Sequence, residues 1–208
     1  MKVILVNGSP HKEGCVYTAL SEVAKTLNAQ GVETEIFHVG IPAIQDCIGC
    51  FSCRDHRGKC AYDKDTVNVF LEKAKDADGF IFGSPVYYAH PSGRILSFMD
   101  RAFFAGKEFL ENKPAAIVVS ARRAGTTASI DAMMKHLTIN NMPVVSSNYW
   151  NMVHGSTPED VKKDLEGLQV MRILGQNMAW LLKCIEAGKN SGIEPPAREE
   201  KIWTNFIR

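Results

Sequence analysis

Short apolar runs alternate with segments whose apolar residues recur at helical spacing, and the alternation continues from one end of this 208-residue chain to the other. The runs read as strands at residues 2–7, 34–39, 79–82, 115–120 and 143–149. Helical patterns fill about 16–29, 66–77, 93–104 and 126–140, and Gly31 stands where a helix C-cap belongs. A last helix opens at Thr157-Pro158-Glu159-Asp160. There Thr157 can cap, Pro158 suits the first helical position and the two acids favour the positive helix end. Val161, Leu165, Leu168, Leu174, Leu181 and Leu182 then offer a buried stripe to about Ala187. Five strands and five helices in strict alternation require a parallel sheet covered on both faces. Right-handed crossovers make that a doubly wound, three-layer α/β fold.

With 45% hydrophobic residues and no internal repeat, the chain suits one domain with a real core. A formal charge of +1 supplies no basic field for nucleic acid, and no stretch approaches the ~20 apolar residues of a membrane span. Met1-Lys2 leads straight into Val3-Ile4-Leu5-Val6 with no cleavable leader, so a cytoplasmic location is expected. Reducing surroundings then argue against a disulfide framework for the six cysteines.

Four of those cysteines, Cys47, Cys50, Cys53 and Cys60, fall within fourteen residues, spaced C-x2-C-x2-C-x6-C. Three thiolates on one tight bend can reach different corners of a cuboidal cluster and the fourth can close the set, as in compact runs that hold [4Fe–4S]. Gly49 and Gly58 relieve backbone crowding beside them. Structural zinc fits less well, because it takes two separated pairs and here the middle cysteine belongs to both. Free or redox-active thiols are the remaining reading. Cys184 lies in a helical apolar pattern and is expected in the core.

In doubly wound sheets ligands bind beyond the carboxyl ends of the strands, near the reversal of strand order. After the first strand, residues 8–18 join small residues to a helix start, where backbone N–H groups with the Ser9, Tyr17 and Thr18 hydroxyls can hold a phosphate. An ordinary turn is the alternative, since neither G-x-G-x-x-G nor G-x4-G-K-[ST] is present. After the third strand, Tyr87 and Tyr88 on a Pro85-stiffened loop can stack on a flat ring or simply pack. After the fourth, Arg122 and Arg123 meet Gly125 and two threonines at a helix start. These cations can neutralise a ligand that becomes anionic on reduction, or they are merely solvated. The cysteine loop follows the second strand, so all four loops are expected on one sheet edge.

GSPHKEG before a helix, then GSPVYY with SGRILSFMDR, then ARRAGTT, resembles the NAD(P)H-dependent FMN reductases, and the added cysteine run resembles their iron–sulfur flavoprotein branch. The resemblance implies a flavodoxin-like three-layer sandwich over residues 1–187, with a five-stranded parallel sheet of order 2-1-3-4-5. It also implies a cysteine-rich insertion at 40–65 and a tail at 188–208. In that reading Ser9, His11, Gly14, Cys15, Val16, Tyr17 and Thr18 wrap the FMN phosphate and ribityl chain. Pro85, Val86, Tyr87 and Tyr88 line the isoalloxazine, and Ser120, Arg123 and Gly125 reach its pyrimidine edge. Cys15 and Val16 stand where the family often has Asn-Thr, and Asp100-Arg101 matches a family pair read as structural. FMN is expected over FAD, because no Gly-rich pyrophosphate turn is present.

The implied activity is a flavoprotein oxidoreductase passing electrons between FMN and a [4Fe–4S] cluster ligated by Cys47, Cys50, Cys53 and Cys60, with no catalytic acid or base. Electrons would come from NAD(P)H or a ferredoxin-like donor and pass to a small-molecule or protein redox partner. An FMN, quinone or azo reductase without a cluster is one rival, and a flavodoxin-type shuttle the other. The family also implies a homodimer or homotetramer. Trp203 and Phe206 in the tail suggest that residues 202–207 pack on their own domain or on a neighbouring subunit.

Overall fold

The computed structural model describes residues 1–208 except Arg57, Arg198, Lys201 and Arg208. The chain runs β1 (Lys2–Asn7), α1 (Cys15–Ala29), β2 (Glu33–His38), a single 3-10 turn (Ser52–Arg54), α2 (Val67–Ala74), β3 (Gly79–Tyr87) and β4 (His90–Pro91). It continues through α3 (Gly93–Ala105), α4 (Lys107–Leu110), β5 (Ala115–Ala121), α5 (Thr126–Ile139), β6 (Met152–His154), α6 (Pro158–Val161) and α7 (Leu165–Asn190).

Strands β2-β1-β3-β5-β6 form a parallel sheet, which is the expected 2-1-3-4-5 order once the small β4 is set aside as an antiparallel appendage of β3. β1 lies between β2 and β3 and is covered on both faces, which is why Val3-Ile4-Leu5-Val6 reads as an unbroken apolar run. Its side chains alternate. Ile4 and Val6 join the core under α2, α3 and α5, whereas Val3 and Leu5 join the core under α1 and α7. Pairing of Asn7 with both His38 and Gly83 aligns the carboxyl ends of β1, β2 and β3 at one level.

Three expectations need correction. The fifth strand is β6, not residues 143–149. Among the described residues that stretch pairs with β5 at the isolated Ala115–Val144 bridge. It then turns toward α7, where Ser147 Oγ donates to the Val170 carbonyl and Asn177 Nδ2 to the Ser146 carbonyl. The single last helix is two helices. Thr157 and Asp160 form a reciprocal capping box on α6, and Asp164 caps α7 by accepting from Gly167 N–H at 2.9 Å. Leu165 is accordingly exposed. Cys184 is exposed as well. The buried stripe of α7 runs through Val170, Met171, Leu174, Met178 and Leu182, and a residue two positions past Leu182 points the other way. In the tail Ile202, Phe206 and Ile207 are exposed on this chain, which leaves the neighbouring subunit as the surface on which they would pack. Arg198, Lys201 and Arg208 of that tail, and Arg57 of the insertion, lie outside the described residues. Among the described residues no helix is long and apolar enough to cross a membrane.

Candidate functional site

Asn7 ends β1 fully buried and folds the loop that follows. Its Nδ2 donates to the carbonyls of Lys12 at 3.0 Å and His11 at 3.4 Å, while its Oδ1 accepts from Ser9 N–H at 3.0 Å. His38 at the end of β2 reaches the Ser9 carbonyl at 2.9 Å. Ser9 is itself buried. Its oxygen accepts from His11 N–H at 3.1 Å, which leaves the hydroxyl proton free to be donated. Gly14 is the N-cap of α1, supplies no side-chain acceptor, and no acid follows in the first turn. The leading N–H groups of the helix therefore face the loop as an uncapped, positively polarised end, which is what a phosphate requires. His11 is exposed, whereas Gly14, Cys15, Tyr17 and Thr18 are half-buried around that end. Thr18 donates its hydroxyl to the Gly14 carbonyl at 3.1 Å, so its side chain shapes the turn. Val16 is core and offers only its main chain.

Cys15 ties this helix start to the far strands, with Sγ toward the Gly155 carbonyl at 3.8 Å and a hydrogen bond to Ser120. Burial pushes its thiol above the ordinary value, so Cys15 is a neutral wall residue. Ser120 is buried at the end of β5.

β3 runs past its expected end to Tyr87, and β4 returns along it, pairing Val86 with Pro91 and Tyr87 with His90. The two turn residues, Tyr88 and Ala89, both have positive φ, 51° and 58°, the conformation of a tight two-residue hairpin. Pro85 and Val86 are half-buried, Tyr87 is exposed and Tyr88 stands fully in solvent. Behind the turn lies Gly125, at φ 95°, where a Cβ would meet Ala89 Cα at 2.4 Å. Gly125 also opens α5 without a side-chain cap, next to the exposed Arg122 and Arg123. The loops after β1, β3 and β5 thus surround one edge of the sheet, carrying two uncapped helix starts, two exposed tyrosines and two arginines.

The cysteine insertion shares that edge only at its root. It folds along one face of α3, whose polar residues at positions 94, 97 and 101 recur at helical spacing. Arg94 donates to the carbonyls of Gly40, at 2.9 Å, and Pro42; Ser97 hydrogen-bonds Asp46; Arg101 pairs with Asp65. Arg101 is only 1% exposed. It also donates to the carbonyls of Gln45 at 3.2 Å and Tyr62 at 2.7 Å, and its Nε donates to Cys60 Sγ at 3.3 Å. Burial works to lower the Arg101 pKa, but Asp65 and Cys60 more than offset it and the group is held above its ordinary value.

Cys47, Cys50, Cys53 and Cys60 line one pocket, closed by Phe51, Tyr62, Arg101, Phe104 and Ala105. Cys47 and Cys50 are exposed, while Cys53 and Cys60 are half-buried against the core. Ser52, through its backbone N–H and hydroxyl, lowers the Cys50 pKa; burial and the other three sulfurs raise that of Cys53. Asn68 clamps Cys60, accepting from its N–H at 2.8 Å and donating to its carbonyl at 2.9 Å. Gly58 donates its N–H to the Ala105 carbonyl at 3.0 Å, and a Cβ there would strike Phe109 at 2.4 Å. Among the described residues no three His, Cys, Asp or Glu side chains are arranged for one metal ion; the cysteines instead stand around the pocket. The pocket faces the C-terminal half of α3, ~14 Å along the helix from Ser92, so the expectation that all four loops meet at one place is corrected.

Sequence reasoning missed Asn7, Asn68 and the insertion-binding role of Arg94, Ser97 and Arg101. The last was legible as a polar i, i+3, i+7 row on a helix that, Asp100 aside, is otherwise apolar.

The model of a family described as NADPH-dependent FMN reductase matches residues 1–157. An iron–sulfur flavoprotein of Methanocaldococcus jannaschii is 34% identical over 194 residues, covering 89% of this chain and 100% of its own. Another, from Methanosarcina thermophila, is 28% identical, with coverage of 91% and 100%. Among solved structures, RosB with bound 8-demethyl-8-formylriboflavin-5'-phosphate superposes with a TM-score of 0.70 at 15% identity, covering 100% of this chain and 94% of its own. A flavodoxin from the domain Archaea gives 0.57 at 15% identity, with coverage of 88% and 99%. These likenesses show a flavodoxin-like fold.

Proposed function

The chain belongs to the NADPH-dependent FMN reductase family, in its iron–sulfur flavoprotein branch, and is an FMN-dependent oxidoreductase; from this we propose that it carries a [4Fe–4S] cluster as well and exchanges electrons between the two groups. The observation that carries the cluster reading is the single pocket lined by all four cysteines of the run, with the buried guanidinium of Arg101 on one of the sulfurs. A cluster held by four thiolates is anionic overall, and a buried cation hydrogen-bonded to sulfur suits it.

The flavin would lie along the carboxyl edge. The uncapped start of α1 and the hydroxyl of Ser9 hold its phosphate, Tyr87 and Tyr88 offer faces to its ring, and Ser120, Arg123 and Gly125 border its polar edge. When bound, FMN supplies exchange between two-electron and one-electron chemistry, and the cluster supplies one-electron transfer. The chain's own residues bind, orient and shield, and Arg122 and Arg123 place positive charge where a reduced, anionic ring would need it. No side chain is required as acid or base. The proposal includes NAD(P)H as donor, a small-molecule or protein redox partner as acceptor, a cytoplasmic setting and a homodimer or homotetramer.

Heat release of the bound flavin tests the first half: FMN is expected, and stoichiometric FAD would contradict it. Ser9→Ala is expected to weaken FMN retention by ~1.5–3 kcal/mol, the worth of one hydrogen bond to a charged group. Steady oxidation of NADPH or NADH with a quinone acceptor separates a reductase from a mere shuttle, which would show no turnover.

A further inference from the structure

We propose that Arg101 is a positioning residue for the cysteine pocket, one that forms the pocket ahead of any metal and places a fixed positive charge against Cys60. Among the described residues Arg101 is the largest fully buried side chain, yet it lies under a segment with almost no regular structure. One guanidinium gathers both flanks of the cysteine run. It donates to the Gln45 carbonyl before Cys47, and to the Tyr62 carbonyl and Asp65 after Cys60. A further donor, Nε–H, goes to Cys60 Sγ at 3.3 Å. Arginine suits this task because its planar fork holds several acceptors in fixed directions, which a lysine ammonium does not. A buried guanidinium without such partners would be costly, so the loop and the cation stabilise one another.

The location of Arg101 on α3 strengthens the argument. The same helix begins at Ser92, whose Oγ donates to the Gly8 carbonyl at 3.2 Å and whose N–H donates to Ser84 Oγ at 3.1 Å. One rigid element therefore fixes the flavin-side loop at its first residue and the cysteine pocket at Arg101. Hydrogen bonds and charge at a cluster sulfur set its reduction potential. A cation at Cys60 favours the reduced state, which carries one more negative charge. The electrostatic part of the proposal rests on reading the four cysteines as cluster ligands, whereas the positional part does not.

Four proteins test it: wild type, Arg101→Lys, Arg101→Met, and Arg101→Met combined with Asp65→Asn, which removes the ion pair without stranding a buried carboxylate. In cluster-free protein, amide hydrogen exchange over residues 45–65 is expected to speed at least tenfold in the double variant, including at Gly58 and Cys60, whose N–H groups bond elsewhere. The central sheet should keep its protection. Lysine is expected to restore little of this. After anaerobic reconstitution, Arg101→Met, which removes the cation and keeps Asp65, should show a midpoint lower by at least a tenfold change in the one-electron equilibrium, ~59 mV, with Arg101→Lys in between. Unchanged exchange over 45–65 in the double variant would overturn the positional role, and a loaded Arg101→Met variant with the wild-type midpoint would overturn the electrostatic one. Wild-type protein that takes up no iron or sulfide would instead refute the cluster reading, and with it the electrostatic role, while the exchange comparison would still decide the positional one.

Discussion

Gly125 sits at φ 95° with its α-carbon against the Tyr88–Ala89 turn, so any side chain there meets both an unfavourable backbone and a clash with Ala89. Gly125→Ala is expected to cost about 1–3 kcal/mol of stability and to loosen FMN as the hairpin shifts. Thermal unfolding and flavin retention check this, and if both match wild type the turn is not held from behind. The sequence reveals glycine at this position but not its contact, because Ala89 lies 36 residues away and the hairpin depends on two non-glycine residues in the left-handed region. Cysteine shows the same divide. The spacing of Cys47, Cys50, Cys53 and Cys60 suffices to place them around one pocket, since a short loop leaves their sulfurs few other arrangements. Cys184 misleads, because one residue of helical phase decides between core and solvent and the apolar pattern of α7 is not strict there.

At the level of elements, helix ends and strand pairs are held by identifiable interactions. The capping box of Thr157 and Asp160 starts α6 and so shapes the turn into α7. Thr157→Ala is expected to cost ~1 kcal/mol, measured by denaturant unfolding. Glu35 on β2 is paired with Lys73 at 2.8 Å and Lys2 at 2.9 Å, and Lys73, with Lys2, holds its carboxyl below the usual range against the opposing effect of partial burial. A carboxylate depressed in the folded state contributes stability above its unfolded pKa of ~4.3 and loses it as pH falls through the folded value. Glu35→Gln should therefore be less stable than wild type at pH 7, with the difference closing below pH ~4. A difference that stayed constant with pH would show that the ion pairs are not its source. Elements buried on both faces, such as β1, were legible because burial alone dictates their composition. β6 was not: three residues of pairing leave little pattern, and the more apolar stretch 143–149 is diverted by polar contacts with α7 that only the folded chain reveals.

For the whole molecule, alternation of strand and helix identified the layers, and the rule that ligands lie beyond carboxyl strand ends picked out three loops that the structure gathers at that edge. What that rule could not show is that the insertion after β2 turns back along α3, because its course is set by Arg94, Ser97 and Arg101 and not by the sheet. On the proposed reading the protein has two adjoining centres joined by one helix, an edge that would take the flavin and a cysteine pocket along the helix's side. That account stands on the cysteines being ligands of one cluster beside one FMN. Its most direct test counts iron, acid-labile sulfide and FMN on the same anaerobically reconstituted sample, for wild type, Cys50→Ala and Cys184→Ala. Four iron, four sulfide and one FMN per chain are predicted for wild type and for Cys184→Ala, with cluster lost and FMN kept in Cys50→Ala. Wild-type protein that holds FMN but neither iron nor sulfide would contradict it.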